Sequence, residues 1–95
     1  MTNEEFLAQL RRLIDRVWVC RAWVTAIPSY SSKPEYMSYC RSMDGWLEAY
    51  ERDYRHFQGV SSIEKNYHVQ TYLGHCEGEV LSYEHKRKDL QSQAK

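Results

Sequence analysis

The chain has 95 residues, of which 42% are hydrophobic and 27% are charged, so it is too apolar for an intrinsically disordered protein and too short for two domains. Its 13 basic and 13 acidic residues balance, which leaves no net field to attract nucleic acid or an anionic membrane. We expect one globular domain over residues 1–95.

The expected compartment is the cytoplasm. No apolar run approaches the roughly 20 residues of a membrane span, and the first residues lack the basic and then apolar pattern of a secretory signal. The three cysteines are odd in number and widely spaced, which fits a reducing compartment better than a disulfide framework.

The first predicted helix covers about residues 3–26. Thr2 and Glu5 have the spacing of a capping box, in which each side chain accepts a hydrogen bond from the other residue's amide. Pro28 biases the residue before it away from helical angles, which ends the helix. Between these signals the apolar residues follow the three- and four-residue steps of one helix face: Phe6, Leu10, Leu13, Val17, Cys20, Val24 and Ile27.

The second predicted helix covers about residues 33–58 and is expected to be the central one, packed on both sides. Ser32 and Glu35 repeat the capping-box spacing, and Pro34 suits a first helical turn. Gly59 follows the predicted end. The apolar stripe of this helix comprises Cys40, Met43, Leu47, Tyr50, Tyr54 and Phe57.

The third predicted helix covers about residues 62–88, and a polar tail over residues 89–95 is expected to fray. Ser61 and Glu64 form a third capping-box pattern. Because short connections force neighbouring helices to run in opposite directions, the predicted fold is all-α: an antiparallel three-helix bundle with long helices, which could dimerise through its helix faces.

That arrangement brings the three cysteines into adjacent core layers. A chain reversal near residue 30 sets Cys20 level with Cys40, and a second reversal near residue 60 sets Cys76 level with Met43. Thiolates bind zinc or copper(I), so a metal or redox site is one interpretation of Cys20, Cys40 and Cys76. The favoured interpretation is core packing, because zinc prefers four ligands and no histidine lies on a core stripe. No cofactor is predicted.

Aromatic residues exceed the needs of a small core, with eight Tyr and three Trp. Tyr and Trp are enriched at protein interfaces, since each joins an apolar body to a polar tip. Glycines inside predicted helices add a second signal, because each costs up to about 1 kcal/mol relative to Ala unless a kink or a closely approaching partner requires it. The predicted partner-binding residues are Trp18, Tyr39, Gly45, Trp46, Tyr72, Gly74 and Gly78.

No catalytic motif is present, so the leading hypothesis is a non-enzymatic protein-binding module of adaptor, chaperone or inhibitor type, acting as a homodimer or within a hetero-complex. One alternative is a small-ligand or metal sensor that uses the cysteines or an aromatic pocket. Another is a nucleic-acid-binding accessory protein that uses basic faces and the cluster Lys86–Lys88, which zero net charge disfavours.

Overall fold

The computed structural model of the protein describes residues 1–66 and 68–93, with Asn66 described by its backbone alone. Every regular element in this part of the chain is helical, so the prediction of an all-α protein is confirmed. The elements are α1 (Asn3–Thr25), a 3-10 turn (Tyr30–Ser32), α2 (Pro34–Gln58), α3 (Ile63–Asn66) and α4 (Val69–Gln93).

The predicted third helix is replaced by two helices. Its start forms the single turn α3, and a separate helix, α4, begins at Val69. Tyr67, which the predicted helix included, lies outside the described residues. The described part of the chain therefore has four α-helices, three of them long, where the sequence predicted three.

The predicted fraying of residues 89–95 is wrong for residues 89–93. Helix α4 continues to Gln93, and Leu90 is a fully buried member of the core. Burial of one leucine side chain contributes about 1.5–3 kcal/mol, which offsets part of the entropy cost of ordering this last turn. Residues 94 and 95 of the predicted tail lie outside the described part.

The N-terminus of α1 both caps its own helix and holds the loop before α3. The predicted capping box forms, with the Glu5 amide donating to Thr2 Oγ1 at 3.1 Å and the Thr2 amide donating to Glu5 Oε1 at 3.3 Å. Asn3 then reaches across the sequence. Its Nδ2 donates to the carbonyls of Val60 and Ser61, and its Oδ1 accepts from the Ile63 amide at 3.0 Å. A residue near the start of the chain therefore satisfies the first amide of α3.

Helix α2 begins without the predicted serine cap. Its N-cap is Lys33, whose side chain makes no capping hydrogen bond. Ser32 Oγ instead donates to the Ser29 carbonyl at 2.8 Å within the 3-10 turn. Ser29 itself adopts left-handed backbone angles, with φ of 62°, where the chain reverses. The serine hydroxyl is therefore used by the turn, and Pro34 supplies the preformed first helical residue.

Helix α1, rather than α2 as predicted, is the helix that packs closely on both long neighbours. Its backbone approaches α2 and α4 closely, whereas α2 and α4 approach each other much less. The inner side of α1 is almost completely buried. Its buried residues are Phe6, Leu10, Leu13, Ile14, Val17, Cys20 and Val24.

Tyrosine side chains fill the wider space between α2 and α4. Four of them, Tyr39, Tyr50, Tyr72 and Tyr83, form what we call the tyrosine seam. Their hydroxyls donate across the two helices to four different acceptors: the Tyr83 carbonyl at 2.6 Å, Glu79 Oε1 at 2.8 Å, Asp53 Oδ2 at 2.8 Å and the Ser42 carbonyl at 3.0 Å, respectively. A large ring that ends in a paired hydroxyl can bridge backbones too far apart for aliphatic packing.

Removing a core side chain of α1 tests the role of that helix. We expect Leu10→Ala to lower the free energy of unfolding by about 2–5 kcal/mol, because Leu10 is fully buried and its loss leaves a cavity. Urea denaturation followed by circular dichroism measures the change. The matched control is Leu81→Ala, since Leu81 is 52% exposed and its truncation should change stability by less than about 0.5 kcal/mol. Equal losses in the two variants would contradict this packing.

The buried phenols and thiols make the fold sensitive to high pH. Burial raises the pKa of Tyr50 and Tyr72 above 10, and raises the pKa of Cys76 from 9 to about 12. Because the unfolded chain loses these protons at lower pH than the folded chain, the stability they contribute is complete below about pH 9 and declines as the pH rises. We expect a lower urea midpoint at pH 11 than at pH 8. Tyr72→Phe, which removes one ionisable group, should show a smaller decline, and a midpoint independent of pH would contradict the prediction.

Candidate functional site: the Trp18 face

The exposed large apolar side chains of the described residues are concentrated on α1. Trp18 is 43% exposed and Val19 is 57% exposed, and the remaining one, Leu81, lies on α4. Ala22, one turn after Trp18, is also exposed. We call the surface formed by Trp18, Val19 and Ala22 the Trp18 face. It lies on the side of α1 opposite to the buried stripe, so it takes no part in the core.

Trp18 is held in place despite its exposure. Its indole Nε1 donates to Glu51 Oε1 on α2 at 3.0 Å. Arg11 binds the same carboxylate with two nitrogens, at 2.8 and 3.0 Å, and this hydrogen bonding lowers the pKa of Glu51. The guanidinium carbon of Arg21 lies 5.9 Å from the centroid of the Trp18 ring, within the range of a cation–π contact.

Charged pairs surround the apolar patch. Arg21 forms an ion pair with Asp44 on α2, and Arg11 pairs with Asp15 at 2.9 Å as well as with Glu51. These pairs are partly exposed, so they contribute little to stability by themselves. Their effect is geometric, because they fix the polar border around one aromatic side chain. An ordered aromatic anchor with a polar rim is the arrangement that carries most of the energy at protein interfaces.

Two of the predicted interface aromatics belong to the core. Trp46 is 6% exposed and Tyr39 is 4% exposed. The Trp46 ring stacks on Tyr50 with centroids 4.3 Å apart and meets Tyr83 edge-on at 6.2 Å. The sequence interpretation assigned them to an interface because the predicted bundle already accounted for the apolar stripe of α2 without them. The tyrosine seam requires a second stripe on α2, and both residues belong to it.

Tyr72 is half-buried and belongs to the same seam. Its ring lies 5.8 Å from Phe6 and 5.4 Å from Phe57, and its hydroxyl donates to Asp53. Burial is also the main reason that its pKa is raised. Of the four predicted interface aromatics, only Trp18 therefore presents a large exposed surface.

The predicted interface glycines lie on open helix surfaces. A Cβ atom placed on Gly45, Gly74 or Gly78 would meet no side chain or distant backbone atom within 4 Å. Helix α2 runs through Gly45 as one continuous helix. No packing contact among the described residues requires these glycines, and the structure does not bring them together with Trp18 into one patch.

The cysteines are free, buried thiols. Burial raises the pKa of Cys40 and Cys76, which keeps both protonated near neutral pH and disfavours metal binding by thiolate. Within the described ranges, no three His, Cys, Asp or Glu side chains are grouped so that they could hold a metal ion. Cys20, Cys40 and Cys76 act as small core residues in this fold.

A shallow groove of about 540 Å³ runs beside the tyrosine seam, and the sequence did not predict it. Two small serines, spaced one turn apart on α2, leave room for the groove. This spacing could not be recognised as part of a groove from the sequence, because the sequence does not show that α4 lies opposite. The lining residues are Pro34, Glu35, Ser38, Tyr39, Ser42, Ser82, Tyr83 and Lys86. Val19 is the other residue that the sequence interpretation missed, because it lies off every apolar stripe.

Comparisons with known proteins return no relative. No protein-family model matches the chain, and neither a curated protein nor a solved structure matches it. Of the helices that the structure describes, none combines the length and the apolar character needed to cross a bilayer. The geometry of the Trp18 face is therefore the basis for a functional proposal.

Replacing an open helix glycine tests whether the fold itself needs it. We expect Gly78→Ala to raise the free energy of unfolding by about 0.5–1 kcal/mol, because alanine restricts the unfolded chain and meets no obstacle in the folded one. Thermal and urea denaturation give the value. Gly45→Ala on α2 should show a gain of the same size. A loss of stability at both positions would mean that these helix surfaces are not open.

Proposed function

We propose that the protein is a non-enzymatic protein-binding module, of adaptor, chaperone or inhibitor type, that recognises its partner through the Trp18 face. One observation carries the proposal: an exposed tryptophan is fixed by a hydrogen bond to Glu51 and by the guanidinium of Arg21. Its partner is either a second copy of the chain or a different protein.

The fixed geometry of Trp18 supports binding in two ways. An aromatic side chain that is already ordered loses little conformational entropy when a partner covers it. The exposed ring also has apolar area that water solvates poorly, and a partner that excludes this water gains free energy at about 25 cal/mol for each Å². A surface leucine that is exposed but not ordered also gains free energy when water is excluded, but it loses more conformational entropy on binding.

The scaffold behind the face is proposed to be an antiparallel bundle of the three long helices. Contacts between α1 and α2 support this arrangement, because residues late in α1 meet residues early in α2. Phe6 contacts Phe57 with ring centroids 4.9 Å apart, Arg11 pairs with Glu51, and Arg21 pairs with Asp44. A scaffold of long packed helices presents a rigid surface, which favours tight recognition over adaptable recognition.

The alternatives have less support. A cysteine-based sensor would need accessible thiolates, whereas these thiols are buried and the pKa of Cys76 is raised to about 12. A nucleic-acid-binding role would use the basic cluster near the end of α4, but Arg87 is half-buried, with its guanidinium carbon 5.7 Å from the Trp23 ring centroid. Three free thiols remain in keeping with the proposed cytoplasmic location.

Capture experiments with matched variants test the proposal. We expect immobilised wild-type protein to retain a specific partner from a lysate of the source organism, and Trp18→Ala to retain at least about tenfold less, because loss of a central anchor typically costs 2 kcal/mol or more of binding energy. Quantitative mass spectrometry measures the retained partner, and additional copies of the chain count as one.

Leu81→Ala is the matched control, because Leu81 is similarly exposed but lies on a different helix. It should capture the same amount as wild type. Circular dichroism should show that both variants remain folded, since neither residue belongs to the core. Equal capture by wild type and Trp18→Ala would refute the proposed function.

A further inference from the structure

We infer that the partner on the Trp18 face is a second copy of this chain, docked so that two α1 helices run antiparallel about a twofold axis between Trp18 and Val19. This inference rests on the proposed function and names its partner. In a twofold interface both copies use the same patch. If one residue of the first copy contacts a second residue of the other copy, the same contact also forms with the two copies exchanged. Trp18 of one copy would thus cover Val19 of the other, and the reverse.

The distribution of exposed apolar residues favours self-association of this patch. Among the described residues the exposed large apolar side chains are Trp18, Val19 and Leu81, and two of these are consecutive on α1. A head-to-tail contact would need a second apolar patch elsewhere on the molecule, and Leu81 alone offers little area. The apolar surface on a second copy that best complements Trp18 and Val19 is therefore the Trp18 face of that copy.

The residues around the proposed axis are compatible with close helix approach. Antiparallel pairing about this axis places Ala22 opposite Asp15, and Ala26 opposite Arg11. Each of these two pairs joins a small side chain to a longer charged one. Arg16 and Arg21 also fall level with each other in this register, but each is already paired within its own copy, Arg16 with Glu84 and Arg21 with Asp44. Helices approach closely where one side of each contact is small. The charged heads can remain at the solvent-exposed border while their stems cover the alanines.

Charge complementarity along α1 also favours the antiparallel orientation. The last turn of α1 has no basic residue, so the partial negative charge of its terminal carbonyls is not countered within the helix. The antiparallel copy would bring Arg11 and Arg12 to this end. Arg12 is exposed, and the ion pairs of the described residues use Arg11, Arg16 and Arg21 but not Arg12. A parallel pairing would instead join like ends of the two helix dipoles.

The apolar centre of this interface is small, so the dimer should be weak. We expect a dissociation constant on the order of 10 µM, as for other contacts at the low end of interface size. Sedimentation equilibrium from about 1 to 500 µM covers that range. Wild type and Leu81→Glu should both dimerise, whereas Val19→Glu should remain monomeric, because it would bury a carboxylate against the indole of the second copy.

Cross-linking locates the contact. Val19→Cys and Leu81→Cys introduce thiols at positions of nearly equal exposure, 57% and 52%, while the native cysteines are buried. With a short bis-maleimide we expect the Val19→Cys variant to form covalent dimers at least about tenfold faster than the Leu81→Cys variant, since twofold docking holds the two introduced thiols close together. Equal rates for the two variants would overturn the docking geometry.

The outcomes separate this inference from the proposed function. If wild type stays monomeric at 500 µM while Trp18→Ala still loses lysate capture, the inference fails and the proposed function stands with a different protein as partner. If Trp18→Ala captures as much as wild type, the proposed function fails, and the inference that rests on it fails too. Concentration-dependent dimers with fast cross-linking at Val19→Cys support both.

Discussion

The close packing of α1 against both α2 and α4 is the constraint on which the rest of the structure depends. Phe6, Leu10, Ile14, Val17 and Val24 are at most 1% exposed, so the inner side of this helix is completely used by the fold. Their side chains are mostly aliphatic and of moderate size, which lets the backbones of both neighbouring helices approach α1. The opposite side of α1 presents Trp18 and Val19, which stay exposed even though the indole of Trp18 donates to Glu51 on α2.

The same constraint explains the tyrosines. Because α2 and α4 are both drawn to α1, the space between them is wider, and rings that end in hydroxyls bridge it better than aliphatic side chains. Tyr50 and Tyr72 each donate to a carboxylate on the facing helix, so these hydroxyls are paired where their rings fill the gap, whereas the buried Nε1 of Trp46 beside them has no hydrogen-bond partner among the described residues. Most of the aromatic surplus is therefore structural. Trp18 stands apart because, among the described residues, it is the large aromatic side chain that remains exposed.

The ion pairs between α1 and α2 connect the fold to the proposed binding surface. Arg11 and Glu51 link the two helices, and the same carboxylate accepts the indole hydrogen of Trp18. Arg21 links α1 to Asp44 and also lies against the Trp18 ring. Contacts of this kind add little to the free energy of unfolding where solvent reaches them. They determine the orientation of one side chain, and in a binding module that orientation is what a partner would recognise.

The sequence by itself determined the features that short-range rules control. These are the all-α class, the Thr2 and Glu5 capping box, the apolar stripe of α1, and the position of Trp18 off that stripe, since helical periodicity and capping depend on residues only a few positions apart. Only the tertiary structure decided that α1 packs closely on both neighbours, that Trp46 and Tyr39 are buried, that Asn3 holds the loop before α3, and that Leu90 extends α4. Each of these depends on contacts between segments far apart in the sequence, and such contacts are decided by the side chains of both segments at once. Periodicity along one helix shows which side is apolar, and it does not show how much space the facing helix leaves to be filled.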